Sequence, residues 1–338
     1  MKDMKNKKHI IFLQVAHTTH DERVFFHQAK SLQEVGHIVE IYGIESSHTF
    51  TPKPADIYIV DTPMAMWKIR NLSTKIIYDI TEWYPSKKNL RNMRWGKLTK
   101  IFILTLANIW AGWKASAFIF GENDKAKPFQ FLFRKKTHIF LPYYPNLAYI
   151  TPTPATDIHE KCHLLYAGPL TEEKGWNRVL ETMHAIAREF PHTHFQLDVI
   201  TQSTLTHAHT IKNLHIQKLD FMPFEIFCQQ ITNYDIFLDL RNIDFENTRC
   251  LPIKLFYYMA CGRPSIYSNL SAINHGIPEV NQCTKLVNNV DEAIIALKEY
   301  IGNNTLYQQH CSNARSLAEH KYNWNKISTR FIQLISQL

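Results

Sequence analysis

The chain has 338 residues, of which 45% are hydrophobic and 20% charged, so it is a globular sequence long enough for two domains of ordinary size. A formal charge of +8 and a pI near 9.0 favour an anionic partner: a nucleotide, a phosphorylated lipid surface or nucleic acid. Only 10 glycines are present and no G-x-G-x-x-G occurs, which argues against a dinucleotide-dependent dehydrogenase; no nucleic-acid-binding module is recognisable either.

The N-terminus, MKDMKNKKHIIFLQVAH, is basic and then apolar. The apolar run is short and lacks a small-residue cleavage site, so it is read as a first core strand of a cytoplasmic protein rather than a signal peptide. His9 to Ala16 is a nearly continuous apolar run, as in a strand buried on both faces of a parallel sheet. Phe25, Ala29 and Leu32 then fall at helical spacing, closed by Gly36, and Ile38 to Tyr42 is the next strand. The alternation continues through Ile57 to Val60, Lys75 to Ile80, Ala117 to Phe120 and His138 to Leu141, which predicts a doubly wound α/β domain over residues 1–148.

Trp95 to Trp113 stands out within that half. Its apolar body falls short of the roughly 20 residues a spanning helix needs, and lysines and arginines flank it from residue 87 to residue 114. It is either a helix lying in a membrane interface or a buried helix with a solvated basic end.

Residues 149–160 are rich in Pro and Thr and predict an extended linker. The strand–helix order restarts at Cys162 to Ala167. A loop runs from Gly168 to Gly175, followed by a helix with Val179, Met183, Ile186 and Ala187 on one face. Phe195 to Ile200, Tyr234 to Leu240 and Ser265 to Tyr267 are further strands, with a helix over Phe224 to Asn233. A second α/β domain is therefore expected over 161–320, with ligand at the carboxyl ends of strands, in a cleft between the two halves.

The six cysteines form no C-x-x-C pair, and the 18 histidines form no Cys/His finger. D-x-D is also absent, so no metal site is expected. The strongest chemical signal lies in Asp244 to Asn269. Pro252 suits a first helical turn and Gly262 with Pro264 marks the end, while Ile253, Phe256, Tyr257 and Ala260 make a buried face that turns Lys254 and Tyr258 elsewhere. Lys254 in a first turn, preceded by Asn247 and Arg249, reads as a phosphate or diphosphate site, although a solvated lysine is the commoner outcome. Lys174 in the loop from Gly168 to Gly175 offers a second cation at a strand-to-helix turn.

These stretches together resemble the family 4 glycosyltransferases of the GT-B fold, in order and over nearly the whole chain. HTTHDERVFFHQAKSLQEVGHIVEIYGI looks like their opening signature, IYDITEWYP their second N-domain motif, LLYAGPLTEEKGWNRVLETM their phosphate loop, and NYDIFLDLRN with LPIKLFYYMACGRPSI their donor-binding motif. YNWNKISTRFIQLI is similar to their terminal helix, here residues 321–338, which would pack back toward the N-terminal domain.

The resemblance implies two Rossmann-like doubly wound domains facing a central cleft, and sugar transfer from a UDP- or GDP-sugar to a lipid-linked or glycan acceptor. Transfer would retain anomeric configuration and require no metal or other cofactor. The setting would be bacterial polysaccharide synthesis, in the cytoplasm or at the inner face of the membrane. It implies catalytic roles for Lys174, Lys254 and Glu82. Donor contacts would come from Gly168, Gly175, Asn247, Arg249, Leu255, Tyr257 and Phe221, and acceptor-side contacts from His17, Asp21, Arg23 and Thr81. Asp21 and Arg23 either line the acceptor side or form a structural ion pair.

The sequence departs from the family pattern at several places. Pro169 stands where an Arg usually follows the loop Gly, Tyr257 where a glutamate would hold the ribose, and Arg249 near the place of its partner acid, with Glu246 or Asp244 as substitutes. Thr81 replaces the histidine before Glu82. These departures leave open a second reading, a catalytically silent GT-B protein that binds a nucleotide or a partner glycosyltransferase.

Overall fold

A computed structural model describes residues 7–15, 20–44, 50–81, 96–205 and 211–338, with backbone alone at 123 and 124. The chain divides into two compact units, Met1–Tyr143 with Asn325–Leu338, and Tyr144–Trp324.

The first unit is built on a six-stranded parallel sheet of β1 (His9–Gln14), β2 (Ile38–Gly43), β3 (Ile57–Val60), β4 (Lys75–Ile80), β5 (Ala117–Phe120) and β6 (Thr137–Phe140), in the order β2-β1-β3-β4-β5-β6. Its central strands are fully buried, as their unbroken apolar spelling requires. After β1, a π-helical stretch Glu22–Ala29 runs into α1 (Lys30–Glu34), and the Asp21 carboxylate caps its start by accepting from the Arg23 N–H at 3.0 Å. Then come α2 (Pro63–Lys68), capped by Thr62, α3 (Lys97–Lys114) and α4 (Asn123–Leu132). Of the two readings of the Trp95 to Trp113 stretch, full burial is not what α3 shows: Leu98, Phe102, Ile103, Leu106 and Trp113 are exposed.

The second unit repeats the plan with β7 (Lys161–Ala167), β8 (His194–Ile200), β9 (Leu214–Leu219), β10 (Ile236–Asp239), β11 (Ser265–Ser268) and β12 (Thr284–Val287), all parallel, in the order β12-β11-β10-β7-β8-β9. Helices α5 (Trp176–Glu189), α6 (Phe224–Gln230), α7 (Ile253–Ala260), α8 (Ser271–Gly276), α9 (Val290–Gly302) and α10 (Asn304–His320) complete it. One core joins α7 and α10 to the sheet, and a second holds α5 and α9. The last helix, α11 (Trp324–Gln337), is grouped with the first unit from Asn325 onward, where Lys8 Nζ donates to the Ile335 carbonyl at 2.7 Å.

Two expectations need correction. The Pro/Thr stretch 149–160 carries little regular structure yet is not a free linker: Ile150 and Ile158 are buried, and the Arg263 guanidinium donates to the carbonyls of Thr153 and Pro154 at 3.0 Å. Tyr258 does not turn away from the core, because α7 lies between the sheet and α10 and is buried on nearly every side. Its ring stacks on Phe237 with centroids 3.9 Å apart.

Candidate anion-binding site

The second unit changes winding direction between β7 and β10. From β7 the chain winds out through β8 and β9, then returns to β10 and winds the other way through β11 and β12. Neighbouring strands that lead in opposite directions leave a crevice at their carboxyl ends, here at Ala167, Gly168 and Asp239. Lys254, in the first turn of α7, reaches into that crevice. Its Nζ donates to the Ala167 carbonyl and lies 3.1 Å from Asp239 Oδ2, and 31% of the side chain remains exposed.

Asp239 ends β10 and is buried with a full set of donors. Arg241 gives it two, from Nε at 2.8 Å and NH2 at 2.5 Å, and the Tyr267 hydroxyl donates at 2.7 Å. Burial opposes its charge, but Lys254 and Arg241 outweigh burial and hold the carboxyl well below the usual range. Lys254 is also shifted down, but with burial prevailing: burial lowers its pKa, Asp239 resists, and Arg241 and Lys174 lower it further. Lys174 pairs with the exposed Glu173 at 2.9 Å. Among the described residues, three cations thus gather around two carboxylates, one of them out in solvent.

The glycines make room for this cluster. A Cβ on Gly168 would sit 3.7 Å from Lys254 Nζ and 3.5 Å from the Tyr166 hydroxyl, so any larger side chain would fill the space over the ammonium. Gly175 has φ +79° and approaches β10 so closely that a Cβ would fall 1.9 Å from the Leu240 carbonyl oxygen. The loop between them is pinned. Tyr166 donates to the Pro169 carbonyl at 2.7 Å, Arg178 Nε to the Leu240 carbonyl at 2.7 Å, and the Asn242 N–H to the Glu173 carbonyl at 2.9 Å. The N–H groups of Lys174, Gly175 and Trp176 are bonded within the loop, so what it presents at the crevice is a cation and open space more than free amides. Beside Arg241, an open pocket is lined by Arg178, Leu240, Ser268, Asn288 and Asn289 among others.

The remaining donor-side candidates are placed differently. Asn247 is buried and bonds both Asp244 carboxylate oxygens, through its N–H at 2.9 Å and its Nδ2 at 3.0 Å, so Asp244 caps this loop. Arg249 is exposed, with its guanidinium 3.5 Å from the Phe245 ring centroid. Leu255 and Tyr257 lie in the core; Tyr257 packs edge-on to Phe224 and beside Phe227, so a tyrosine stands there as a core residue. Phe221 is exposed after the edge strand β9, two strands from β7.

In the first unit, Arg23 is 2% exposed and is a structural residue. Its Nε and NH2 donate to Asp79 at 3.1 and 2.9 Å, NH1 donates to the Leu141 carbonyl at 2.6 Å, and the guanidinium lies over the Tyr143 ring. The ion pair considered for Arg23 therefore forms with Asp79, while Asp21 serves as the helix cap. Thr81 is buried and its carbonyl accepts from Lys125. His17 and Glu82 lie outside the described residues.

Asp239 and Arg241 were not picked out from sequence. The signal was present in Asp239-Leu240-Arg241, since residues two apart at a strand end project to the same side.

No protein-family model and no curated protein sequence matches the chain. Solved structures do. HepE from Anabaena, in complex with UDP-glucose, superposes with a TM-score of 0.68 at 13% identity over 98% of this chain and 100% of that one. Sucrose-phosphate synthase from Thermosynechococcus elongatus gives 0.63 at 14% identity, over 97% and 98%. An alpha-glucosyltransferase in complex with UDP and DNA gives 0.64 at 11% identity, over 98% and 100%. What this likeness establishes is the fold: the two-unit α/β architecture of the GT-B glycosyltransferases.

Proposed function

We propose that the protein transfers a hexose from a UDP- or GDP-sugar to an acceptor hydroxyl, with retention of anomeric configuration, as a family 4-type glycosyltransferase of bacterial polysaccharide synthesis. The observation that carries this reading is the excess of positive charge at the β7–β10 crevice, where Lys254, Arg241 and Lys174 stand over space kept open by Gly168. Neighbours of the same fold that hold UDP or UDP-glucose support it.

In this reaction the bond from the anomeric carbon to the diphosphate oxygen breaks, and its electron pair goes to the departing nucleoside diphosphate. The acceptor oxygen forms the new bond and its proton passes to the leaving phosphate. Cations already in place over the diphosphate lower the barrier because charge develops there. Arg241, locked to Asp239, offers the second cation that Pro169 cannot. A lipid-linked or glycan acceptor fits this setting.

The core position of Tyr257, together with Pro169 in the loop, favours one alternative, a protein that binds nucleotide without transferring sugar. A thermal-shift panel of UDP, GDP, ADP, CMP, dTDP and their sugar conjugates tests the donor, since a ligand of the native state raises the midpoint. Release of nucleoside diphosphate from the stabilising sugar conjugate then separates enzyme from silent binder. A shift by none of them overturns both readings.

A further inference from the structure

Helix α3 is amphipathic in an unusual sense: its inward face is small and polar, and its outward face is apolar. Inward, Asn108 accepts from the Tyr78 hydroxyl at 2.8 Å. Gly112 lies so close to Phe133 that a Cβ would come within 2.2 Å of the ring. Lys136 Nζ fastens the C-terminal end by donating to the carbonyls of Gly112 at 2.8 Å and Trp113 at 2.7 Å. Outward, Leu98, Phe102, Leu106 and Trp113 recur at the spacing of one helical stripe, with Leu98 82%, Phe102 63% and Trp113 71% exposed. The patch continues onto α2, where Trp67 packs against Trp110 with ring centroids 5.4 Å apart and Met64 is also exposed.

Charge selects the occupant. Lys97, Lys100 and Lys114 lie on α3, and Lys68 and Arg70 at and just beyond the end of α2, while neither helix contains an acidic residue. A second copy packed antiparallel would set the lysines at one end of α3 against the lysine at the other. Anionic lipid instead supplies countercharge at the edges and hydrocarbon at the centre. No helix among the described residues is long and apolar enough to cross a membrane. We propose that α3, with the adjoining part of α2, lies in the plane of an anionic lipid surface, its Leu98–Phe102–Leu106–Trp113 stripe sunk below the headgroups. This proposal is independent of the transferase reading.

The test is co-sedimentation of the full chain with phosphatidylcholine vesicles, with and without phosphatidylglycerol. Binding should be strong only with the anionic lipid and should weaken as salt rises. Phe102→Ser with Leu106→Ser should reduce partitioning on the order of tenfold or more. Lys97→Gln and Lys114→Gln should each reduce it about fivefold at low salt. All four positions are exposed, so unchanged thermal midpoints are expected and confirm that the fold survives. Failure of the folded wild-type chain to sediment with anionic vesicles overturns the proposal. So does undiminished binding by the Phe102/Leu106 variant, or a lipid-free dimer that this variant abolishes, which would assign the face to a second copy.

Discussion

In the first unit one buried arginine meets one buried carboxylate. Arg23 and Asp79 share two hydrogen bonds, and the third direction of the guanidinium is taken by the Leu141 carbonyl. The winding reversal of that sheet, between β1 and β3, is closed by Asp61, whose carboxylate accepts the Val15 N–H at 3.0 and 2.9 Å. In the second unit the corresponding reversal holds an ammonium, and one buried carboxylate meets two cations. Among the described residues the two sheets thus end differently: in the first Arg23 and Asp79 pair one to one, and in the second one buried carboxylate faces two cations.

Removing the carboxylate should be the most damaging change to either cluster. Asp79→Ala and Asp239→Ala should each cost about 3–5 kcal/mol of stability by leaving buried cations unpaired. Only Asp239→Ala should be partly rescued by inorganic pyrophosphate, which can neutralise Lys254 and Arg241; denaturant titrations with and without pyrophosphate read both effects. Equal rescue of both variants would erase the distinction. Lys254→Gln should then weaken nucleoside diphosphate binding by about 30-fold, roughly 2 kcal/mol for a charged hydrogen bond. Its stability should stay within about 1 kcal/mol, because this partly exposed ammonium is already held at a lowered pKa.

Gly168→Ala should weaken the same binding by about tenfold, since its methyl group would occupy the space beside Lys254 Nζ. Isothermal titration measures both affinities. The smallest effects are in pH dependence. Burial lowers Lys254, so diphosphate affinity should decline with rising pH before the ordinary lysine range near about 10.4, and Lys254→Arg should remove that decline. Asp239 titrates lower in the folded chain than in the unfolded one. Its contribution to stability is therefore full above about pH 4 and lost as pH falls below that, a loss that Asp239→Asn should flatten in acid-unfolding curves.

The legible parts of the fold were those where one physical demand acts alone. Strands such as Ile57–Val60 are buried on both faces and spell it without interruption, and Pro252 and Gly262 mark α7 because backbone geometry admits few alternatives. Strand Leu214–Leu219 escaped notice because it is an edge strand whose His, Gln and Lys face solvent, so its composition reads as loop. Tyr258 was misplaced because helical periodicity assumes one buried face, and α7 has more than one.

At the site, Lys254 and Gly168 were singled out through motifs, and the structure brings them together. Asp239 and Arg241 were not, because an acid and a base two residues apart look like a solvated pair until the β7–β10 reversal buries them.

The most direct measurement is isothermal titration of UDP into the wild type and Lys254→Gln, with GDP as the second nucleotide. The wild type should bind one nucleoside diphosphate saturably and the variant about 30-fold more weakly, with the denaturation midpoint little changed. Equal affinity in the two proteins would contradict this, because the charge left over at the β7–β10 crevice would then have no part in holding the anion.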